Sequence, residues 1–241
     1  MALDALDIVN GIFSIIFVAI SLLVGIIIFS KYLQYKEKIY LFVGVTWILI
    51  SEPWWPSSLS FIIAINDKVG LSENLYFLIG NIFIPITIII WLIAFTEFLY
   101  TEKRKLILMI FTLYGIVFEI LFFIFLSIDP DLIGELNPPV DVNYKSFIMI
   151  SLISFLLIVV ITGFMFANLS LKSDDPEVKL KGKLLIFAFI SFSVGALLDS
   201  SIPLSAPLII ITRLILILSA LAWYGGFILP KWMRKIFLKN R

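Results

Sequence analysis

Residues 208–227 read LIIITRLILILSALAWYGGF, an apolar run interrupted by one charge, Arg213. A helix needs about 20 such residues to cross a hydrocarbon core of about 30 Å. A guanidinium does not lose its proton in proteins. At membrane depth it is costly enough that it faces a partner or a water-filled cavity. Four carboxylates interrupt other apolar runs, Glu52, Glu97, Glu119 and Asp199, and they are the candidates to answer it.

The rest of the chain supports the same solvent. Hydrophobic residues make up 61% of the sequence, charged residues 15%, and mean hydropathy is +1.12. A water-soluble domain of this size cannot hide so much apolar surface. The net charge of +1 gives no argument for nucleic acid as a partner. The chain has neither Cys nor His. That excludes disulfide frameworks, thiolate nucleophiles, haem His ligands, zinc sites built on Cys or His, and Ser–His–Asp triads. We expect no enzymatic activity, no catalytic residues, no cofactor and no metal. The acidic start, MALDALD, precedes an apolar run too long for a signal peptide, so it is expected to remain as the first helix.

Seven spans follow from the apolar runs: 8–30, 39–65, 75–100, 106–128, 146–168, 184–203 and 205–229. In the second, Pro53 and Pro56 predict a kink or a helix end, so that 59–65 either continues the helix or lies along the interface. Fifteen of the 18 basic residues fall in the connections after the first, third and fifth spans and in the tail. The positive-inside rule makes that side cytoplasmic and the N-terminus external. The expected fold is therefore an all-α integral membrane protein, one seven-helix domain over 1–241 in the cell membrane. Its tail, 230–241, mixes Trp232, Met233, Ile236 and Phe237 with basic residues, a pattern for a short amphipathic helix on an anionic inner leaflet.

Counting about 1.5 Å per residue, Glu52, Glu119 and Asp199 lie roughly 20 Å above the inner edge, and Arg213 lies about 12 Å below the outer end of its helix. Glu97 is too near the cytoplasmic side to join them. One cation then sits among three carboxylates, with Asp199 or Glu52 as its expected clamp. A remaining carboxyl is free for a proton, a cation or a cationic ligand. Trp54 and Trp55 are expected as interface anchors, where indoles are favoured; with Asn81 and Tyr114 they are also the uncharged candidates to line a pocket. Asn10 is the polar residue of note in the first helix. The loop 129–145, DPDLIGELNPPVDVNYK, begins like a calcium loop, but Ile133 and Val140 stand where oxygen ligands are needed. It is read as a structured, solvated loop.

One acid below a proline-marked outer end recurs in the second span (Glu52, Pro53, Pro56) and the sixth (Asp199, Pro203, Pro207). That is consistent with a three-plus-one-plus-three pseudo-repeat of the kind some transporters carry.

Length, seven spans and an external N-terminus resemble microbial rhodopsins, but the lysine that holds retinal is missing from the seventh helix. The segment WLIAFTEFLYTEKRK leading into a long apolar helix, with the ending AWYGGFILPKWMRK, resembles the seven-helix sensor modules found ahead of histidine kinase domains in prokaryotic signalling proteins. The likeness spans roughly 75–235. It implies a receptor- or sensor-like protein with an outward-facing polar pocket, binding a small ligand or cation and signalling through a separate cytoplasmic partner. The alternative expectation is a small-solute or ion transporter working through Glu52 and Asp199.

Overall fold

The computed structural model describes residues 3–201 and 205–238. Seven helical stretches within them are long and apolar enough to cross a membrane. The first is α1 (Ala5–Tyr35). Its acidic start is a cap: the Asp4 carboxylate accepts the Asp7 N–H at 2.7 Å, and the Asp7 carboxylate accepts the Asp4 N–H in return.

The next two stretches are broken helices. The second consists of α2 (Lys38–Ile50), a 3-10 turn over Glu52–Trp54, and α3 (Trp55–Asp67). The third consists of α4 (Glu73–Asn81) and α5 (Ile84–Phe98). Proline explains both breaks. Pro53 and Pro85 lack an N–H, and a proline ring clashes with the carbonyl four residues back. For Pro85 that carbonyl belongs to Asn81, where α4 stops. The first break matches the kink expected at Pro53; the second was not foreseen.

The remaining helices are α6 (Arg104–Ile128), α7 (Ser146–Leu171), α8 (Pro176–Ser201), α9 (Ala206–Ile228) and α10 (Lys231–Phe237). α8 starts at Pro176, ahead of the apolar span at 184, where the run Ser173-Asp174-Asp175 before Pro176 and Glu177 reads as a helix start; Asp175 accepts the Glu177 N–H at 2.7 Å. Pro203 lies outside the described residues, so the proline corner proposed there has no structural counterpart to compare. Between α6 and α7 the chain forms an antiparallel hairpin, β1 (Gly134–Asn137) with β2 (Asp141–Tyr144). The segment 129–145, expected as a structured, solvated loop, is structured and largely exposed, but as a hairpin it also buries Ile133 and Val140.

α1 packs on α2 and α9, α8 packs on α7 and α9, and α5 packs on α2, α6 and α7. Small residues let α1 and α2 approach closely. A Cβ on Gly44 would stand 2.7 Å from the Phe29 nitrogen and 2.8 Å from the Gly25 carbonyl oxygen. The bundle centre is aromatic. Trp47 stacks on Trp223 at 4.7 Å, and Trp91, Phe189 and Phe227 ring Trp223 at 5.6, 5.3 and 5.1 Å.

Two ends are thereby defined. A basic end carries the α1–α2, α5–α6 and α7–α8 connections and α10. There Arg234 meets Glu177 at 2.8 Å. The opposite, hairpin end carries β1–β2 and the α3–α4 turn.

Candidate functional site

Arg213 projects from α9 into the protein and is 2% exposed. Its Nη1 stands 2.6 Å from Asp199 Oδ1 on α8. Its Nη2 donates to Asn10 Oδ1 on α1 at 2.9 Å. The ion-pair contact is short but off the hydrogen-bonding direction, so Nη1 and Nε lack aligned acceptors. The other Asp199 oxygen accepts the indole N–H of Trp54 at 2.7 Å. The Trp54 ring also lies 5.8 Å from the guanidinium carbon, within cation–π range. One cation is thus held by three elements of distant sequence. Asn10 is fixed in turn by Ser14, whose hydroxyl donates to it at 3.3 Å.

This network forms one wall of a cavity of ≈ 160 Å³. A single water needs only about 15 Å³ on such a measure, so the space suits a small molecule. Leu49, Ile50, Ile84, Ile88, Leu152 and Leu156 supply apolar lining, and Asp199, Arg213, Asn10, Trp54, Asp141 and Tyr144 the main polar lining. Asp141, Tyr144, Val140 and Val142 come from the hairpin, which therefore forms the wall at that end. On the other side Phe192 lines the cavity and touches both Trp54 and Trp47, at 6.1 and 5.9 Å. Trp223, ten residues and about 15 Å along α9 from Arg213, lies behind it. Trp47, Trp91, Phe189, Trp223 and Phe227 thus cluster toward the basic end from the cavity.

The hairpin is fastened to the helices. The Tyr76 hydroxyl on α4 donates to the Val140 carbonyl at 2.9 Å and shares a 2.7 Å hydrogen bond with Ser57 on α3. Asn81 Nδ2 donates to the Tyr144 hydroxyl at 3.3 Å and to the Phe77 carbonyl at 2.8 Å. Gly70, at φ +84°, brings the α3–α4 turn against Pro139. Burial pushes the Tyr144 pKa up to about 12, against the Asn81 hydrogen bond, so this side chain is a neutral phenol at physiological pH. Asp141 is exposed as a residue, yet desolvation of its carboxyl raises its pKa. Asp199 adds to the rise, while Asn137, the Val142 N–H and Arg213 oppose it.

The expected residues separate into two groups. Arg213 and Asp199 meet; Glu52 and Glu119 do not join them. Glu52, fully buried, turns instead to the break in the third span, where its Oε1 accepts the Phe83 N–H at 2.7 Å. That break leaves a backbone donor without its helical acceptor, and the carboxylate supplies one. Glu52 Oε2 and Glu119 Oε2 are buried without hydrogen-bond partners, and the two side chains are electrostatic neighbours. Glu52 and Asp199 therefore have different partners.

Trp54 is a wall of the cavity and 5% exposed, not an interface anchor, because the 3-10 turn swings it inward. Trp55 instead donates to the Ser51 hydroxyl at 3.0 Å. Tyr114 bonds Ser154 at 2.6 Å, and Asn81 stands behind Tyr144. None of these three lines the cavity. The polar lining residues not anticipated are Ser57, Tyr76, Thr87, Asp141, Tyr144 and Ser200, with Asn10 noted but unassigned. Among the described residues no three acidic side chains are placed to hold a metal ion.

No family model, curated protein or solved structure matches the chain.

Proposed function

We propose that this is an integral membrane receptor or sensor. Its hairpin end faces outside, its basic end faces the cytoplasm, and its cavity is the ligand chamber. The observation that carries the reading is the asymmetry of the bundle. The cavity lies beside the hairpin, and aromatic rings cluster toward the basic end from it. Such a chamber holds a ligand without passing it through. A separate cytoplasmic protein then reads the basic end.

Two further facts support the setting. α6 exposes Met109, Leu113, Ile116 and Ile120, a surface suited to lipid and a liability in water. The basic connections gather at one end, as the positive-inside rule requires of cytoplasmic loops.

The chain lacks cysteine, so single-cysteine variants report cleanly. A membrane-impermeant maleimide added outside intact cells should label Glu135→Cys on the hairpin and spare Lys235→Cys on α10. For signalling, spin labels at Lys105→Cys and Lys179→Cys measure the basic end. Filling the chamber with Ala196→Trp should shift their distance distribution; an unchanged distribution contradicts a receptor.

A transporter is the second reading, favoured by the two broken helices that meet at Glu52 and Phe83. Discontinuous helices are a recurring device of secondary transporters. Solute uptake into proteoliposomes, lost in Glu52→Gln, which keeps an acceptor for the Phe83 N–H, would select it.

A further inference from the structure

The ligand's chemistry is written in the charges that remain accessible inside the chamber. Three charged side chains line it, Asp141, Asp199 and Arg213, so its walls carry an excess of one negative charge. The two partners of the central ion pair are not equally open. The Arg213 side chain is 3% exposed and that of Asp199 17%. Arg213 Nη2 is engaged by Asn10, Nη1 sits against Asp199, and the donors without aligned acceptors are sealed from solvent. Asp199 Oδ1 is sealed as well and its Oδ2 accepts from Trp54. The openly accessible charge in the lining is therefore the Asp141 carboxyl, with the Asp199 side chain the more open partner of the ion pair.

Asp141 faces the same space from the hairpin and lies within electrostatic range of both Asp199 and Arg213. Asp7, in the first turn of α1, is an electrostatic neighbour of Asp141 and adds to the negative field at this end. The two other basic groups here, Lys68 and Lys145, are exposed and do not line the chamber. Leu49, Ile50, Ile84, Ile88, Leu152 and Leu156 add an aliphatic lining.

We infer that the chamber takes a small amphiphile with one positive charge, its ammonium head between Asp141 and Asp199 and its apolar body along α5 and α7. An ammonium donates to both carboxylates and offsets the unbalanced charge. A carboxylate ligand meets two acids and an arginine already committed. An uncharged alcohol leaves the excess charge in place. This inference rests on the cavity being a ligand chamber, and it goes further by fixing the ligand's sign.

The test uses the full chain in nanodiscs of zwitterionic lipid, with hexylammonium, hexanol and hexanoate as probes at equal concentration and neutral pH. Hexylammonium should raise the unfolding temperature while hexanol and hexanoate leave it unchanged. Asp141→Asn should weaken hexylammonium on the order of tenfold, the loss of one charge-assisted hydrogen bond. Asp141 holds no helix to another, so this variant is expected to fold. Equal stabilisation by hexanol, tighter binding of hexanoate, binding of none of the three, or an unaltered affinity in Asp141→Asn would each overturn the assignment. Hexylammonium binding with fixed distances at the basic end would instead leave the ligand class standing and remove the receptor reading.

Discussion

Asp199 divides its two oxygens between Arg213 and Trp54, the first at 2.6 Å and the second at 2.7 Å. One carboxylate thus ties α9 and the 3-10 turn of the second span to α8. Because Trp54 donates to the acid and also stacks its ring edge-on against Phe17 at 4.9 Å, the α1–α2 side of the bundle is locked to the α8–α9 side through a single polar node.

The indole N–H can be removed without removing the ring. Trp54→Phe keeps the contact with Phe17 and deprives Asp199 of one donor. We predict a stability loss of about 1–3 kcal/mol, the cost of a hydrogen bond to a charged group, in thermal unfolding of the purified protein. A loss no larger than that of a surface Trp232→Phe control would contradict the role given to Trp54.

Glu52 is predicted to act as a hydrogen-bond acceptor for the Phe83 N–H. Glu52→Gln retains an acceptor oxygen, whereas Glu52→Ala leaves the buried N–H unmet, at about 1–3 kcal/mol. Alanine should therefore destabilise clearly more than glutamine. Equal losses would mean that the charge, not the acceptor, matters at this position.

How far these roles were readable beforehand depends on distance along the chain and on helical phase. Depth along a helix follows from counting, so the shared level of Arg213 and Asp199 was legible, while the choice between Asp199 and Glu52 as the partner of Arg213 was not. Direction around a broken helix does not follow from counting. In a 3-10 turn Glu52 and Trp54 point roughly 120° apart, which sends the acid to Phe83 and the indole to Asp199. Asn10 looked like a helix-end polar group because its partner lies 203 residues away. The hairpin left one usable trace: Ile133 and Val140, the residues that argued against a calcium loop, are the ones it buries.

Asp141 makes stability depend on pH with a defined sign. Its folded pKa is raised above the ordinary 3.8, so the native state binds the proton more tightly than the unfolded chain. The associated stability is fully present below that value and is lost as pH rises through the folded pKa. Asparagine at this position cannot titrate. The unfolding temperature of Asp141→Asn minus that of the native sequence should therefore increase as pH rises from about 3.8 and then level off. A flat or declining difference would contradict the environment assigned to this carboxyl.

Gly70 tests the fastening of the hairpin. At φ +84° a side chain is strained, and a Cβ would also meet the Ser60 hydroxyl and, at 3.1 Å, Pro139. Gly70→Ala should cost about 1 kcal/mol or more and speed amide hydrogen exchange in 134–144. Unchanged exchange there would show that the α3–α4 turn does not hold the hairpin.

The central claim is that Arg213 is neutralised by Asp199 at the chamber wall, and double-mutant cycles on unfolding free energy test it most directly. Arg213→Gln alone should cost about 3–5 kcal/mol, because it strands a buried carboxylate. Combined with Asp199→Asn, much of that loss should be recovered, a coupling of about 1–3 kcal/mol. Combined with Glu52→Gln, the two losses should simply add. Coupling to Glu52 in place of Asp199, or an Arg213→Gln protein as stable as the native sequence, would contradict the account.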